Sequence, residues 1–381
     1  MNPVTPNPLL GVGLHAIGAL FAATCYTPQK KVKGWSWQTY WITQASFCLL
    51  LLPILGAWLT IPDLLNVLRE APHDAMRNSF LLGVLYGVGG TAFGVAIRYI
   101  GFSLTYAIAI GVSTVLGTLA PTFVGGIVDF LKTTGAHPAG EIALSGFHAL
   151  GATFAKTGGS WVLGGIVAGV MGIAVTGLAG RLKEIDLSTR ENKNGFSWGK
   201  GLLIALMAGV LSAVYSFALN AGEPIADVAT AHGAGIWRGN VTYIFSNTGA
   251  FLTTAIYCLY LHLKHKTLGE LVELPAGTEK SALPVNFAMA AITGCFWYGQ
   301  FFFYNLGHVR MGKEYDFTSW TIHMTMLVLF SGVVGMALRE WRGCRSVTHK
   351  AIAAAMLVLT VAVLLLTYGN YLGDVAAKVK G

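Results

Sequence analysis

Charge is what this sequence has little of. Only 11% of the 381 residues are Asp, Glu, Lys or Arg, whereas 54% are hydrophobic; soluble domains carry roughly 25% charged residues. Aspartate and glutamate are missing from the middle of every long apolar stretch. A soluble domain of this size needs a charged surface, so the shortage of charge excludes that class.

Ten apolar stretches of about 20 residues fill most of the chain, and about 20 helical residues cross the hydrocarbon core of a bilayer. Backbone polar groups in lipid must be satisfied within a segment, which predicts helices. The alternating pattern of a transmembrane β-barrel is absent from the sequence. We therefore predict an all-α polytopic membrane protein of ten transmembrane helices, with spans near residues 9–27, 38–60, 79–98, 101–121, 161–180, 200–220, 236–262, 284–306, 317–338 and 350–370.

Motifs of other protein classes are missing too. No Lys or Arg precedes the first apolar run, so that run is not typical of a cleaved signal peptide and we expect it to remain. The five cysteines show no CxxC or Cys/His ligand spacing, which implies neither disulfides nor a metal. HExxH, GxSxG and a deep pair of aspartates are absent from the sequence, which argues against a membrane-embedded enzyme.

The net charge of +8 would suit a nucleic-acid partner, but its distribution indicates membrane topology instead. Most Lys and Arg fall in the loops after the odd-numbered spans, for example at residues 30–33 and 339–345. The positive-inside rule puts these loops in the cytoplasm and both termini outside. We therefore expect membrane lipid and a small molecule as partners, and no nucleic acid.

Five spans in each half is an odd number, so two related halves would be inverted relative to each other. Inverted repeats around a central site are a transporter architecture. We expect one repeat over residues 1–199, with a long outside connection at 129–160 that contains a surface helix, and a second repeat over 200–381. Chance is the alternative for the short match in spacing between spans one and six, which pairs Gly18, Ala22 and Tyr26 with Gly209, Ala213 and Phe217.

Ionisable side chains at membrane depth are costly, and each is a functional hypothesis by default. His15 and His323 are the only deep groups that titrate near neutrality, and each lies about six residues, roughly 9 Å of helix rise, from the outer end of its span. Gln300 lies at a comparable level, and Asn220 and Asn240 lie near the outer ends of their spans. The two histidines are candidates for proton coupling, with interhelical hydrogen bonding as the alternative.

Aromatic side chains crowd the eighth span, where Trp297, Tyr298 and Tyr304 occur, and Trp320 follows in the ninth. Most aromatics in such places pack or form interfacial belts. Uncharged amide, imidazole and aromatic groups also suit a neutral hydroxylated solute such as a sugar. A phosphate or nucleotide would require a buried Lys or Arg, and the nearest candidate, Arg98, marks the interface.

Several motifs resemble those of the bacterial L-rhamnose-proton symporter family, and they occur in both halves of the chain. They are AIGALFAATCYTPQKKVKGWSW after His15, RYIGFSLTYAIAIG from Arg98, SFALNA from Ser216, WYGQFFFYNLGH from Trp297, EYDFTSWTIHM and REW at 339–341. The resemblance implies a ten-helix member of the drug/metabolite transporter superfamily in the bacterial inner membrane. Such a protein takes up L-rhamnose with a proton as the coupling ion and without a cofactor.

The resemblance also implies site residues. Candidate proton-coupling residues are His15 and His323, candidate substrate-binding residues are Gln300, Trp297, Tyr298, Tyr304, Asn220 and Trp320, and candidate interfacial or gating residues are Lys30, Lys31, Arg98, His308, Asp316 and Glu340. Asp316 and Glu340 are alternatives for proton handling. The long connection at 129–160 and the loose match at 231–250 depart from the family pattern, and the second departure leaves the identity of the sugar open. Export or uptake of another small neutral metabolite, sodium coupling, and a sensor without flux remain alternatives.

Overall fold

The computed structural model describes residues 6–100, 102–134, 138–187, 198–311 and 317–380. Within these ranges the chain is all-helical, with no β-strand. The α-helices are α1 (Pro8–Thr24), α2 (Trp37–Ala45), α3 (Leu52–Thr60), α4 (Leu64–Glu70), α5 (His73–Ile100), α6 (Phe102–Thr134), α7 (Ala139–Phe154), α8 (Gly159–Leu187), α9 (Trp198–Ala221), α10 (Glu223–Ala231), α11 (Thr242–His265), α12 (Ala282–Arg310), α13 (Thr318–Ala337) and α14 (Ser346–Lys380). The short helices are Pro28–Lys31, Ser46–Leu51, Gly235–Val241 and Leu268–Leu271.

Each of the ten predicted spans coincides with helical structure. In the described part of the chain, 9 helices are long and apolar enough to cross a membrane. The remaining predicted span, 284–306, forms α12, which has 29 residues but is not among those 9 because its polar and aromatic residues lower its mean hydropathy. Large apolar side chains such as Trp58, Leu203 and Ile256 are exposed on the outside of the bundle. The chain is therefore a multi-pass membrane protein.

Local sequence explains where some helices begin and bend. Asn7 begins α1 by accepting a hydrogen bond from the Leu10 backbone N–H through its side chain, at 3.1 Å, and Pro8 follows in the first turn, where its missing N–H costs nothing. The second span is interrupted between α2 and α3 by a π-helical turn, Ser46–Leu51. Pro53 follows directly and cannot donate to the preceding turn, which accounts for the interruption.

The fourth span is longer than the sequence predicts. Helix α6 continues to Thr134, and Pro121 lies inside it without ending it. The reason is that residues 122–131 are nearly all apolar, and an apolar environment favours continued backbone hydrogen bonding. The connection at 129–160 is correspondingly shorter, and it contains the expected helix, α7, whose Phe147 ring packs on Phe123 of α6 at 5.1 Å between centroids.

Glycines allow close approach between several helix pairs. The most extensive pairings are α8 with α14, α5 with α9 and α11, α1 with α12 and α13, and α6 with α9. A methyl group on Gly83 of α5 would overlap the backbone of Ser246 in α11, and one on Gly165 of α8 would lie 2.6 Å from Leu366 of α14. Small residues at such contacts replace the hydrophobic driving force that lipid does not supply. The bundle that results has two ends with different chemistry.

Candidate functional site

A cavity of about 520 Å³ opens at one end of the bundle, and we call it the vestibule. This size lies within the range of about 300–1,000 Å³ that is usual for small-molecule sites. The vestibule lies between α6 and the neighbouring ends of α9, α12 and α13, with α10 and the turn Gly235–Val241 at its mouth. Its uncharged polar and aromatic lining includes Ser216, Asn220, Thr242, Tyr243, Tyr304, Asn305, His308 and Trp320.

Trp320 forms the floor of the vestibule. Its indole N–H donates a hydrogen bond to the carbonyl oxygen of Ser113 in α6, at 3.0 Å, and its ring packs closely on Gly117 of the same helix. The ring is 5% exposed and also lines a second cavity beneath it. Trp320 therefore separates the two cavities.

The second cavity, which we call the central cavity, has a volume of about 100 Å³. Gln300 and Trp297 line it from α12, and Tyr26 and Trp41, whose rings stack 6.0 Å apart, line it from the opposite side. The described residues around it also include Tyr86, Tyr106 and Phe301. The vestibule and the central cavity are thus neighbouring cavities with Trp320 between them, and aromatic rings and one amide line the central one.

The two histidines lie side by side behind the vestibule. The ring centroids of His15 in α1 and His323 in α13 are 5.9 Å apart, and the side chains are 0% and 2% exposed. Both ring nitrogens of His15 and Nδ1 of His323 lack a hydrogen-bond partner among the described residues. Buried polar atoms are normally hydrogen-bonded, so unpaired ring nitrogens at this depth are the exception that points to a function.

Tyr304 of α12 lies between the histidines and the vestibule. Its ring centroid is 5.2 Å from that of His15 and 5.4 Å from that of His323, and the residue also lines the vestibule. His308, one helical turn further along, stacks parallel to Tyr304 at 6.0 Å and forms a 3.1 Å hydrogen bond with the Ser319 hydroxyl. The histidine pair is therefore one ring away from the vestibule.

A charged cluster at the mouth of the vestibule was not predicted from the sequence. Arg238 forms ion pairs with Glu223 and, at 3.0 Å, with Asp227. The predicted spans leave Glu223 and Asp227 in the loop after residue 220 and put Arg238 at the start of the span 236–262, because hydropathy does not reveal α10. The spacing of Glu223 and Asp227, four residues apart after a glycine, is the signal that would have placed both carboxylates on one helical face.

Other predicted residues lie away from the two cavities. Tyr298 is buried with its hydroxyl against Gly56 of α3, and the amide of Asn240 donates to the Thr60 hydroxyl at 2.9 Å. Asp316 and the side chain of Arg98 lie outside the described residues. The structure therefore gathers Gln300, Trp297, Tyr304, Asn220, Trp320 and His308 around the cavities.

The opposite end of the bundle, which we call the basic face, consists of residues 28–36, 266–281 and 338–345. Glu340 accepts hydrogen bonds from Lys30 at 2.8 Å and from Lys183 at 3.3 Å, while Lys31 is exposed. Burial raises the pKa of Glu340, but the Lys30 hydrogen bond and the Lys183 charge outweigh burial and hold the pKa below 4.5. Lys183 also lies 4.9 Å above the Trp341 ring. These contacts join the connecting segments 28–36 and 338–345 to the end of α8 and close this side of the bundle.

The chemistry of the cavities suits a neutral, hydroxylated ligand. Amide and hydroxyl groups can exchange hydrogen bonds with sugar hydroxyls, and aromatic faces can cover C–H groups. Among the residues that the structure describes, no group of three His, Cys, Asp or Glu side chains could hold a metal ion.

Comparison with known proteins gives one consistent result. A family model described as L-rhamnose-proton symport protein (RhaT) matches residues 5–154 and 147–373. The chain is 32% identical over 353 residues to the L-rhamnose-proton symporter of Klebsiella pneumoniae, covering 92% of this chain and 95% of that protein. It is 31% identical over 353 residues to the symporter of Shigella dysenteriae, with the same coverage, and 32% identical over 335 residues to that of Yersinia pestis, covering 88% and 90%.

Proposed function

This chain belongs to the L-rhamnose-proton symport protein family, and from that premise we propose that it takes up L-rhamnose together with a proton by alternating access. One observation carries the proposal. In the buried histidine pair, three ring nitrogens lack hydrogen-bond partners in the described part of the chain, and the pair lies one ring away from a sugar-sized vestibule. The coupling ion and the sugar then have adjacent places in one structure.

We assign proton coupling to His15 and His323. An imidazole is the side chain whose charge changes near neutral pH, and the middle of the spans offers no carboxylate to take its place. Each histidine lies on a helix that also packs on α12, which carries vestibule residues, so a change in their charge can act on the sugar site. The proton acts as a coupling ion in this proposal, and no cofactor takes part.

For the sugar, we propose that the ring of Trp320 and the amides of Asn220 and Gln300 form the main contacts in the vestibule and the central cavity. Asn220 faces the vestibule, Gln300 faces the central cavity, and Trp320 faces both. Trp297 and Tyr304 complete the two walls. Tyr298 lies against α3 and supports the position of α12 without reaching the sugar.

The open vestibule and the closed basic face together correspond to an outward-open state in this proposal. The positive-inside rule supports a cytoplasmic basic face, because it carries Lys30, Lys31, Arg339 and Arg342, and both termini then lie outside the bacterial inner membrane. Inward opening requires separation of Glu340 from Lys30 and Lys183, since these contacts join the segments at that end.

The proposal includes ten transmembrane helices in two inverted repeats, with α12 as the tenth crossing. The pattern of helix contacts supports it. When each span of the first half is exchanged with its counterpart in the second half, the contact of α5 with α9 becomes the contact of α12 with α1. In the same way, the contact of α6 with α9 becomes the contact of α13 with α1. All four contacts are present. Gly18 packs on α12 and His323 of α13, and its counterpart Gly209 packs on Val112 of α6.

Uptake of radiolabelled L-rhamnose into proteoliposomes, with and without an inward proton gradient, tests the function. We expect accumulation that depends on the gradient and is abolished by a protonophore. The variants His15→Gln and His323→Gln are expected to lose accumulation while retaining exchange of labelled for unlabelled sugar, because exchange needs no net proton movement. Gradient-driven accumulation that persists in both variants would remove the histidines from the mechanism. No accumulation by the folded wild type would refute L-rhamnose symport.

A further inference from the structure

Tyr304 is the one described residue whose ring contacts both histidines and also lines the vestibule. Four rings surround it: those of His15 and His323 on one side, and those of His308 and Trp320 towards the vestibule. The side chain is buried, with 8% exposure for the residue, although a 520 Å³ cavity adjoins it. The ring therefore forms a wall rather than projecting into the cavity.

The histidine ring nitrogens behind the Tyr304 ring are shielded from water. The unpaired ring nitrogens, both of His15 and Nδ1 of His323, would exchange hydrogen bonds with water if water could reach them, yet both residues are at most 2% exposed. A buried polar atom without a partner is destabilising. An arrangement that maintains this cost at the proposed proton site is consistent with a barrier whose removal admits water and protons.

The other charged and titratable groups near this wall are few. Helices α1 and α13 supply no titratable side chain other than the two histidines. Helix α12 adds His308 and Arg310. The Asn370 side chain of α14 bonds with Thr318, and Asp374 follows one turn further along α14. The Glu223–Arg238 ion pair lies across the vestibule. Among the described residues, none of these groups forms a hydrogen bond with either ring nitrogen of His15 or with Nδ1 of His323.

Resting on the proposed symport, we propose that Tyr304 is a positioning residue whose ring closes the histidine pair to the empty vestibule and thereby prevents proton movement without sugar. A symporter loses its gradient if its proton site exchanges protons freely in the empty carrier. The position of Tyr304 also makes it a neighbour of Trp320, so a sugar on the vestibule floor lies against the same wall.

The test compares Tyr304→Ala, Tyr304→Phe and a matched control, Phe303→Ala. Phe303 is the adjacent residue of α12, but its ring stacks on Phe21 at 5.6 Å rather than on the histidines. Diethylpyrocarbonate modification of His15 and His323 is followed by peptide mass spectrometry in the purified, full-length protein. Sugar-independent proton flux is followed in proteoliposomes with an internal pH dye.

We expect Tyr304→Ala to increase both the modification rate of the pair and the sugar-independent proton flux at least tenfold. In these two sugar-independent measurements, Tyr304→Phe and Phe303→Ala should match the wild type, because the first keeps the ring and the second leaves the wall intact. Wild-type modification rates in Tyr304→Ala would overturn the proposal, as would equal increases in Tyr304→Phe, which would assign the effect to the hydroxyl. The histidine readout does not depend on sugar, so failure of L-rhamnose transport by the wild type would be recognised separately. If Tyr304→Ala fails to fold, Tyr304→Leu provides the same loss of the ring, with the same outcomes.

Discussion

The Gly117→Ala substitution tests whether the vestibule floor has to be where the structure places it. A methyl group on Gly117 would lie 2.8 Å from Cδ1 and 3.0 Å from Cε2 of Trp320, whereas carbon atoms pack at roughly 3.5–4.0 Å. The indole must therefore move by roughly 1 Å. Its 3.0 Å hydrogen bond to Ser113 would then exceed the usual limit of about 3.2 Å.

The expected magnitude follows from these two effects. Overpacking of this kind costs about 1–3 kcal/mol, a range that includes a lost hydrogen bond of about 1 kcal/mol, and its middle is about 2 kcal/mol. A sugar that needs the original ring position must restore it against about 2 kcal/mol. Because 1.4 kcal/mol is a factor of ten, the Kd for L-rhamnose should rise roughly 30-fold.

Isothermal titration calorimetry on the purified protein measures this change, with Gly125→Ala as the matched control. Gly125 lies on the same helix, and nothing lies within 4 Å of its added methyl group. The control should bind L-rhamnose as the wild type does. A Kd for Gly117→Ala within twofold of wild type would show that the sugar does not use Trp320 in this position.

Three further predictions follow from other parts of the fold. Glu340→Gln removes the negative charge that binds two lysines, so it should favour inward opening. Maleimide labelling of the buried Cys25 should then be faster, and unchanged labelling would contradict this prediction. Two carboxylates raise the pKa of His232 above 6.5. The wild type should therefore unfold at a higher temperature than His232→Gln below pH 6.5, and this difference should disappear as the pH rises through the raised pKa. Gly18→Ala should reduce accumulation by pressing on α12 and the histidine pair, whereas Gly13→Ala, with no atom within 4 Å, should not.

The sequence was sufficient for the helices and for one part of the site. Apolar length alone located helical structure at each predicted span, and 9 of the described helices are long and apolar enough to cross a membrane, because lipid leaves the backbone few other structures. The sequence predicted a similar depth for His15 and His323, and in the structure their rings lie 5.9 Å apart. Their roles stay predictions.

The direction in which individual side chains point was harder to predict from the sequence. Trp297, Gln300 and Tyr304 are spaced three and four residues apart, so they share a helical face, whereas Tyr298 points elsewhere. Helical spacing could therefore have separated Tyr298 from the others. The Arg238 cluster could not be found from hydropathy, because its position depends on how α10 and the following turn fold over the vestibule.

The absence of acidic residues from the middle of the spans has an electrical consequence. If the histidines of the empty carrier are neutral, its reorientation moves no fixed charge, whereas the carrier with one proton moves a single positive charge. A membrane potential contributes about 2.3 kcal/mol per charge per 100 mV, and it would act only on the loaded carrier. Voltage would then accelerate sugar delivery and leave the return of the empty carrier unaffected, so a cell without a pH difference would still accumulate the sugar.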